Sequence, residues 1–383
     1  MPKPTPHDEM ARMITGYWIS QMVYVAARLG LADRLAEGPR TAEELARTTG
    51  THARSLYRLL RALASVGVFS EDGEGRFRQT PLGECLRSDV PGSQRAMALM
   101  MGQEHLHCWN DLLESIRTGQ TAFDRLYGKP IFEYLGDHPE QAKVFDAAMT
   151  AIHGRETQWT LDAYDFSGVQ VLADIGGGNA SNLIAILKHY PEMRGILFDL
   201  PHVVDRPRAS IEAAGVADRC EAVRGSFFDA IPVEADAYFL RNIIHDWDDQ
   251  KSGLILRNIG RSTPPGARLL VVQHLLPLGD APSYGKLMDL TMFLLPGGLE
   301  RTEAEFRRLY DRVASPGNVT KDSPPWGAAQ CHHLSMNGFS RRGGYPNDHP
   351  DDPPRPMPLP SPHQRRPVPL AMPVHPGTYE PKI

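Results

Sequence analysis

Between residues 53 and 66 the leucines Leu56, Leu59, Leu60 and Leu63 recur at the i, i+3, i+4, i+7 spacing of one helix face, which predicts an amphipathic helix. Upstream, Thr41-Ala42-Glu43-Glu44 reads as a capping box, with Leu45 on the apolar face and Gly50 as the stop. Downstream, Val68-Phe69 and Arg76-Phe77-Arg78 flank the turn EDGEG and predict a short hairpin. Helix, helix and hairpin in that order form a winged-helix pattern over residues 10–100. Helical spacing continues from Gln103 through Leu113 and from Pro139 to Asp162. Beyond Val169 the pattern changes. Short apolar runs at 169–175, 195–199, 220–223, 237–240 and 268–272 are separated by helical stretches such as 181–189. That alternation predicts a parallel α/β sheet with ligands at its carboxyl edge.

Composition alters this picture mainly at the end of the chain. The 383 residues carry a formal charge of −5 and 41% hydrophobic residues, an ordinary globular balance that excludes a whole-chain polyanion binder. No apolar run reaches the roughly 18 residues of a membrane span, and MPKPTPHDEM has no apolar signal region, so a cytoplasmic setting is expected. The four scattered cysteines agree with a reducing compartment. Close to half of the 33 prolines fall in residues 314–383, a segment with neither helical nor strand periodicity. It reads as a disordered, Pro-rich tail. Cys331-His332-His333 lacks a fourth ligand at metal spacing, so no metal is expected. Arg54, Arg58 and Arg61 lie on one helix, as in a DNA reader, but Glu43, Glu44, Glu71, Asp72 and Glu74 dilute their field. A structural or dimerising winged helix is the favoured reading, with a transcription regulator as its rival.

The chemistry-bearing turn is Asp174-Ile175-Gly176-Gly177-Gly178-Asn179-Ala180. A dinucleotide fingerprint requires a third glycine at position 181, which is serine, so NAD is disfavoured. Gly176 and Gly178 let a ligand approach the backbone. Asp199, at the end of the second run, suits a ribose diol, although an acid two residues before Pro201 can also be a plain turn former.

LADIGGGNA, FDLPHVV, GSFFDAIP, LRNIIHDWDD and PGGLERTEAEF follow one another in an order that resembles the S-adenosylmethionine-dependent O-methyltransferases of the caffeic acid, acetylserotonin and hydroxyneurosporene type. The resemblance spans roughly residues 10–310. It implies a Rossmann-like methyltransferase domain at 101–313, preceded at 10–100 by a winged-helix dimerisation domain, and hence a homodimer. It implies a methyl group moved to a hydroxyl of a small aromatic, polyketide or isoprenoid acceptor; charge and hydropathy disfavour a nucleic acid and give no membrane as partner.

By the same resemblance Asp174, Gly176, Gly178, Asp199, Ser226, Phe227 and Arg241 bind the cofactor, with Phe227 on the adenine. His245 is the catalytic base, followed by Asp246, and Glu300 brackets the histidine. Phe145, Met149, Asp289 and Met292 line the acceptor pocket. The residue types suit the task. An imidazole near 6.5 facing a phenol near 10 would need about 5 kcal/mol for full deprotonation, and proton removal concerted with methyl transfer avoids most of it. Plainer uses exist for some of these residues: His245 can be a helix-start histidine, and Phe145 and Met149 share helical spacing with core positions.

Four departures from the family pattern carry expectations. Ala180 replaces a glycine and should crowd the backbone mildly. Ser226 replaces an acid that contacts adenosine. Gln273 replaces a second acid beside the histidine and should lower its pKa relative to the family's other members. After Leu309 the composition changes abruptly, as a shifted reading frame near residue 310 would make it, so the strands that close the family's sheet are expected to be missing. These differences keep a second class open: a non-catalytic relative acting as a cofactor-binding or winged-helix regulatory protein.

Overall fold

The computed structural model describes residues 4–153, 156–314 and 331–335. The chain starts with α1 (Pro6–Arg28) and α2 (Leu31–Ala36), followed by β1 (Arg40–Thr41), α3 (Ala42–Thr49), α4 (Ala53–Ser65), β2 (Phe69–Glu71) and β3 (Arg76–Gln79). Thr41 Oγ1 accepts from Glu44 N at 3.2 Å, and Glu44 Oε2 accepts from Thr41 N at 2.8 Å, so the expected capping box starts α3. Gly50 ends it in the left-handed conformation. Leu56, Leu60 and Leu63 of α4 are buried against Leu45, Phe69 and Phe77. β3 lies between β2 and β1 in a three-stranded antiparallel sheet. The two-residue β1 is too short to leave a periodic signal. In the wing, Asp72 pairs with Arg78 at 2.9 Å, which neutralises one of its basic groups.

Short helices follow: α5 (Pro81–Glu84), α6 (Arg95–Met101), α7 (Glu104–Asn110), α8 (Leu112–Thr118), α9 (Ala122–Tyr127), α10 (Ile131–Asp137), α11 (Pro139–His153) and α12 (Glu156–Ala163). The hydrophobic pattern signals only the stretches that contain α7, α8, α11 and α12. A lone helix of six or seven residues is too short to show a stripe, whereas α7 and α8 follow one another almost without a break; α8 and α9 stop at the left-handed glycines Gly119 and Gly128.

The catalytic-type half alternates β4 (Val171–Ile175), α13 (Ser181–His189), β5 (Arg194–Asp199), α14 (Pro201–Val204), α15 (Arg208–Ala213), β6 (Cys220–Arg224), β7 (Ala237–Arg241), α16 (Asp249–Ser262), β8 (Arg268–Gln273), α17 (Tyr284–Leu294), α18 (Glu303–Ala314) and β9 (Cys331–Ser335). All pairings are parallel, in the order β6-β5-β4-β7-β8-β9. The five expected strands appear within a residue or two of their expected bounds. Strands β4, β7 and β8 are buried almost throughout, which is why they read as apolar runs rather than as alternation. The order reverses between β4 and β7, and a parallel sheet opens a crevice at the carboxyl ends of its strands at such a point.

Within the segment expected to lack the closing strands, one short strand is described. Residues 331–335 pair with β8 from Leu269↔Cys331 to Gln273↔Ser335. Strand pairing needs only free backbone groups, and the unpaired edge of β8 provides them. The rest of the expected disordered tail, 315–330 and 336–383, lies outside the described residues. Among the described residues no helix is long and apolar enough to cross a membrane.

Ala180 caps α13 with φ 59°, the left-handed region, and is fully buried. Its departure therefore acts through backbone conformation rather than through crowding. A left-handed alanine costs about 1–2 kcal/mol, and glycine gives part of that back through unfolded-state entropy. Ala180→Gly should thus raise stability by about 0.5–1 kcal/mol, seen as a higher thermal midpoint. A lower midpoint would mean that the methyl group's packing outweighs the strain.

Candidate active site

Every candidate cofactor residue except Asp174, which lies one position inside β4, sits at or just beyond a strand's carboxyl end. Asp174 is buried, and its Oδ2 has no hydrogen-bond partner among the described residues. Burial, reinforced by Asp199, pushes its pKa up to about 7 against the opposing pull of Arg241. The turn after β4 lies directly on this carboxyl: a Cβ on Gly177 would stand 2.6 Å from Asp174 Oδ2 and 2.5 Å from Leu197 Cδ1. A side chain at Gly177 would therefore have to displace Leu197 and the Asp174 carboxyl, whereas motif spacing singled out only its neighbours Gly176 and Gly178. Asp199 Oδ2 accepts from Gly178 N at 2.8 Å, and its Oδ1 accepts from Leu200 N at 2.7 Å. Each oxygen keeps a second lone pair. Burial raises the Asp199 pKa against these two backbone bonds.

Arg241 ends β7, is buried, and donates to Asn182 Oδ1, which also accepts from Thr157 Oγ1 at 2.9 Å. Ser226 Oγ accepts from Phe228 N at 3.2 Å and so caps its own turn. Asn258 Nδ2 donates to the Phe227 carbonyl at 3.1 Å. The Phe227 ring lies 5.9 Å from Trp247, edge to face.

His245 stands in a 3-10 turn, Ile244–Asp246, just past β7. Its Nδ1 is 2.7 Å from Glu300 Oε1, and its Nε2 is 3.6 Å from Asp246 Oδ1. The Glu300 side chain is fully buried, and its Oε2 has no partner among the described residues. Burial works against charge on the imidazole, but Asp246 and Glu300 outweigh it, and the pKa rises to about 9. Burial raises Asp246 to about 6, with His245 opposing and Glu300 adding to the shift. The raised imidazole is also a stability term: its contribution is complete below the unfolded value near 6.5 and is lost as pH rises through about 9.

The loop after α17 presents Glu300. The Met292 carbonyl accepts from Gly297 N at 2.9 Å and Gly298 N at 3.1 Å, and Leu299 N donates to the His245 carbonyl at 2.9 Å. Asp289 Oδ1 accepts from Glu300 N at 2.8 Å. Asp289 and Met292 thus meet the loop that carries Glu300, Asp289 through its side chain and Met292 through its backbone.

Gln273 bonds the backbone of the turn that carries the imidazole. In the orientation that satisfies its neighbours, its carboxamide oxygen accepts from His245 N at 2.9 Å and Ile244 N at 3.1 Å. Gln273 therefore holds the turn without adding charge, and Asp246 provides a second acid beside Glu300. An amide suits this place because a carboxylate would bring a further buried charge.

Phe145 is edge-on to Phe132 at 6.4 Å, and Phe132 lies 5.7 Å from Trp247. Met149 follows Phe145 by one turn of α11. The next residue, Thr150, bonds Asn179 of the glycine turn, and Asp146 pairs with Arg206 at 2.8 Å. α11 therefore lies over the carboxyl edge. Phe132 and Trp247 were not singled out from sequence. Trp247 is inside HDW and could have been, whereas nothing local marks Phe132. Among the described residues no group of three His, Cys, Asp or Glu is arranged to hold a metal ion.

Comparison with known proteins identifies the lineage. An O-methyltransferase domain model matches residues 109–314, and an O-methyltransferase dimerisation domain model matches 11–89. The chain belongs to the O-methyltransferase family. The methyltransferase match stops where the proline-rich segment begins. A phenazine O-methyltransferase of Lysobacter antibioticus is 46% identical over 301 residues, 79% of this chain and 88% of that protein. A mitomycin biosynthesis 6-O-methyltransferase of Streptomyces lavendulae is 38% identical over 78% of this chain and 86% of that protein. The crystal structure of an O-methyltransferase from neocarzinostatin biosynthesis, in complex with S-adenosylmethionine and 2-hydroxy-5-methyl naphthoic acid, superposes with TM-score 0.69 at 34% identity, over 77% of this chain and 90% of that one. This O-methyltransferase is therefore an enzyme that transfers a methyl group to oxygen.

Proposed function

We propose that this O-methyltransferase methylates a hydroxyl on a planar aromatic or aromatic polyketide acceptor, with His245 Nε2 removing the hydroxyl proton as the new C–O bond forms. The buried His245–Glu300 pair, at the carboxyl edge of the sheet and at the point where strand order reverses, is the observation that carries this reading. It weighs against the non-catalytic alternative.

The cofactor side fits the donor chemically. An orphaned buried carboxyl oxygen on Asp174, free lone pairs on Asp199 and a glycine turn make an acceptor-rich rim. Such a rim suits a ligand with ribose hydroxyls, an ammonium group and a positive sulfonium. When bound, S-adenosylmethionine supplies a methyl group already activated by its sulfonium charge. In this reading Asp199 takes the ribose, Asp174 and Arg241 balance charge beneath the glycine turn, and Phe227 stacks on the adenine beside Ser226. Phe145, Met149 and Phe132 form the apolar wall that holds the acceptor flat. Its aromatic class is supported by those rings and by the relatives' acceptors. The exposed Met13, Ile14, Tyr17 and Trp18 of α1 support burial of that helix in a homodimer.

The acids around His245 strengthen it as a base. An imidazole near 9 sits within about one unit of a phenol's ordinary value of about 10, so proton transfer is nearly balanced. The same shift leaves the free enzyme protonated at neutral pH. With a hydroxyphenazine or hydroxynaphthoate as acceptor, kcat/KM should therefore rise about tenfold per pH unit up to about 9. Glu300→Gln removes one acid and should move that limb to lower pH. An unmoved limb in this variant would sink the assignment of His245 as base.

A further inference from the structure

Arg301 directly follows Glu300 and is fully buried. Its Nη1 donates to the Ile244 carbonyl at 3.1 Å and the Leu299 carbonyl at 3.3 Å. Its Nη2 donates to the Trp247 carbonyl at 2.9 Å and to Ser252 Oγ at 3.3 Å. Its Nε donates to Asp249 Oδ1 at 3.0 Å. Ile244 and Trp247 bracket His245-Asp246. One guanidinium therefore holds both ends of the turn that carries the imidazole, the backbone next to Glu300, and the first turn of α16. It does not touch the imidazole.

We propose that Arg301 is a positioning residue that sets the His245–Glu300 contact and, through it, the basicity of His245. Stability alone is a poor reason for this side chain, because buried ion pairs can often be replaced by apolar groups without loss. Geometry is a better one. Three carbonyls, a hydroxyl and a carboxylate are held at once through Nε, Nη1 and Nη2, and only a guanidinium offers five donors in a fixed fork. Asp249 balances its charge and also pairs with Arg312 of α18. Arginine here thus gives rigid placement of the turn. Its effect on turnover rests on His245 being the base, whereas its effect on the imidazole does not.

The test is NMR titration of the His245 ring in Arg301→Lys and Asp249→Asn, with His245→Asn used to assign the signal. It is run alongside kcat, S-adenosylhomocysteine affinity and thermal midpoint. Lysine keeps the charge but loses the fork. Arg301→Lys should lower the imidazole pKa by about one unit or more from about 9, toward the free value near 6.5. It should also lower kcat by about 10–100-fold while leaving S-adenosylhomocysteine affinity within about twofold. Asp249→Asn should shift the imidazole in the same direction by less. A lower thermal midpoint with the imidazole pKa and kcat unchanged would overturn the proposal and leave Arg301 a structural residue. If Arg301→Lys does not fold, Asp249→Asn decides, and an unmoved imidazole there overturns the proposal. A shifted imidazole with unchanged kcat would uphold the positioning and remove His245 as base.

Discussion

Replacing His245 by alanine should lower kcat by about 10²–10⁴, the usual contribution of a positioned general base. Affinity for S-adenosylhomocysteine should stay nearly unchanged, because the imidazole bonds Glu300 and none of the cofactor residues. Alanine carries a second effect. It strips the buried Glu300 of its partner, and breaking a buried pair costs about 3–5 kcal/mol. His245→Asn separates the two. Its amide can still donate to Glu300 Oε1 in place of Nδ1, so stability should largely recover, but it offers no base at the Nε2 position. Equal loss of kcat in both variants, with stability restored only in the asparagine variant, is the expected result. Wild-type turnover in a folded His245→Asn enzyme would exclude histidine from proton removal.

Gly298→Ala should be nearly as damaging without touching a reacting group. A Cβ at this position would stand 2.0 Å from the His245 carbonyl and 2.3 Å from the Asp246 carbonyl carbon. Both are backbone atoms, so no side chain can swing away. The loop must lift off the turn, which breaks the Leu299 N to His245 O bond at 2.9 Å and draws Glu300 back from the imidazole. A misplacement of about 1 Å can cost a factor of about 10² in rate, and a backbone clash of this kind belongs to the mutations that destabilise by more than about 3 kcal/mol. The expected readouts are a lower thermal midpoint, a kcat reduced by about 10²-fold or more, and an acid limb moved to lower pH. A variant with wild-type kcat would mean that the loop does not set the Glu300 position.

The winged helix was legible because its signals are local. A capping box, a leucine stripe and a glycine stop each act within one turn of chain, and Thr41, Leu60 and Gly50 do what their neighbours dictate. The parallel sheet was legible because strands covered on both faces must be apolar throughout. The short helices between α7 and α11 were only partly legible, since six residues cannot display a period.

For the site, the contrast is sharper. Residue types and motif order in the chain pointed to Asp174, Asp199, His245 and Glu300 as the groups with chemistry to offer. Only the family resemblance named Glu300 as the partner of His245, because hydrogen bonds between segments some 55 residues apart leave no periodic trace. Gln273 shows this: by motif position it stood beside the imidazole, and by geometry it holds the Ile244 and His245 amides. Phe132 shows it too, being an ordinary apolar residue of α10 until the fold sets it against Trp247. β9 is a third case, where an unpaired edge accepted a segment with no strand pattern of its own. Local propensity and burial determined the elements and the chemical inventory, because both act on near neighbours and on the residue itself. Tertiary packing alone decided the distances, the orphaned oxygens and the raised imidazole, because those depend on which distant groups share a volume without water.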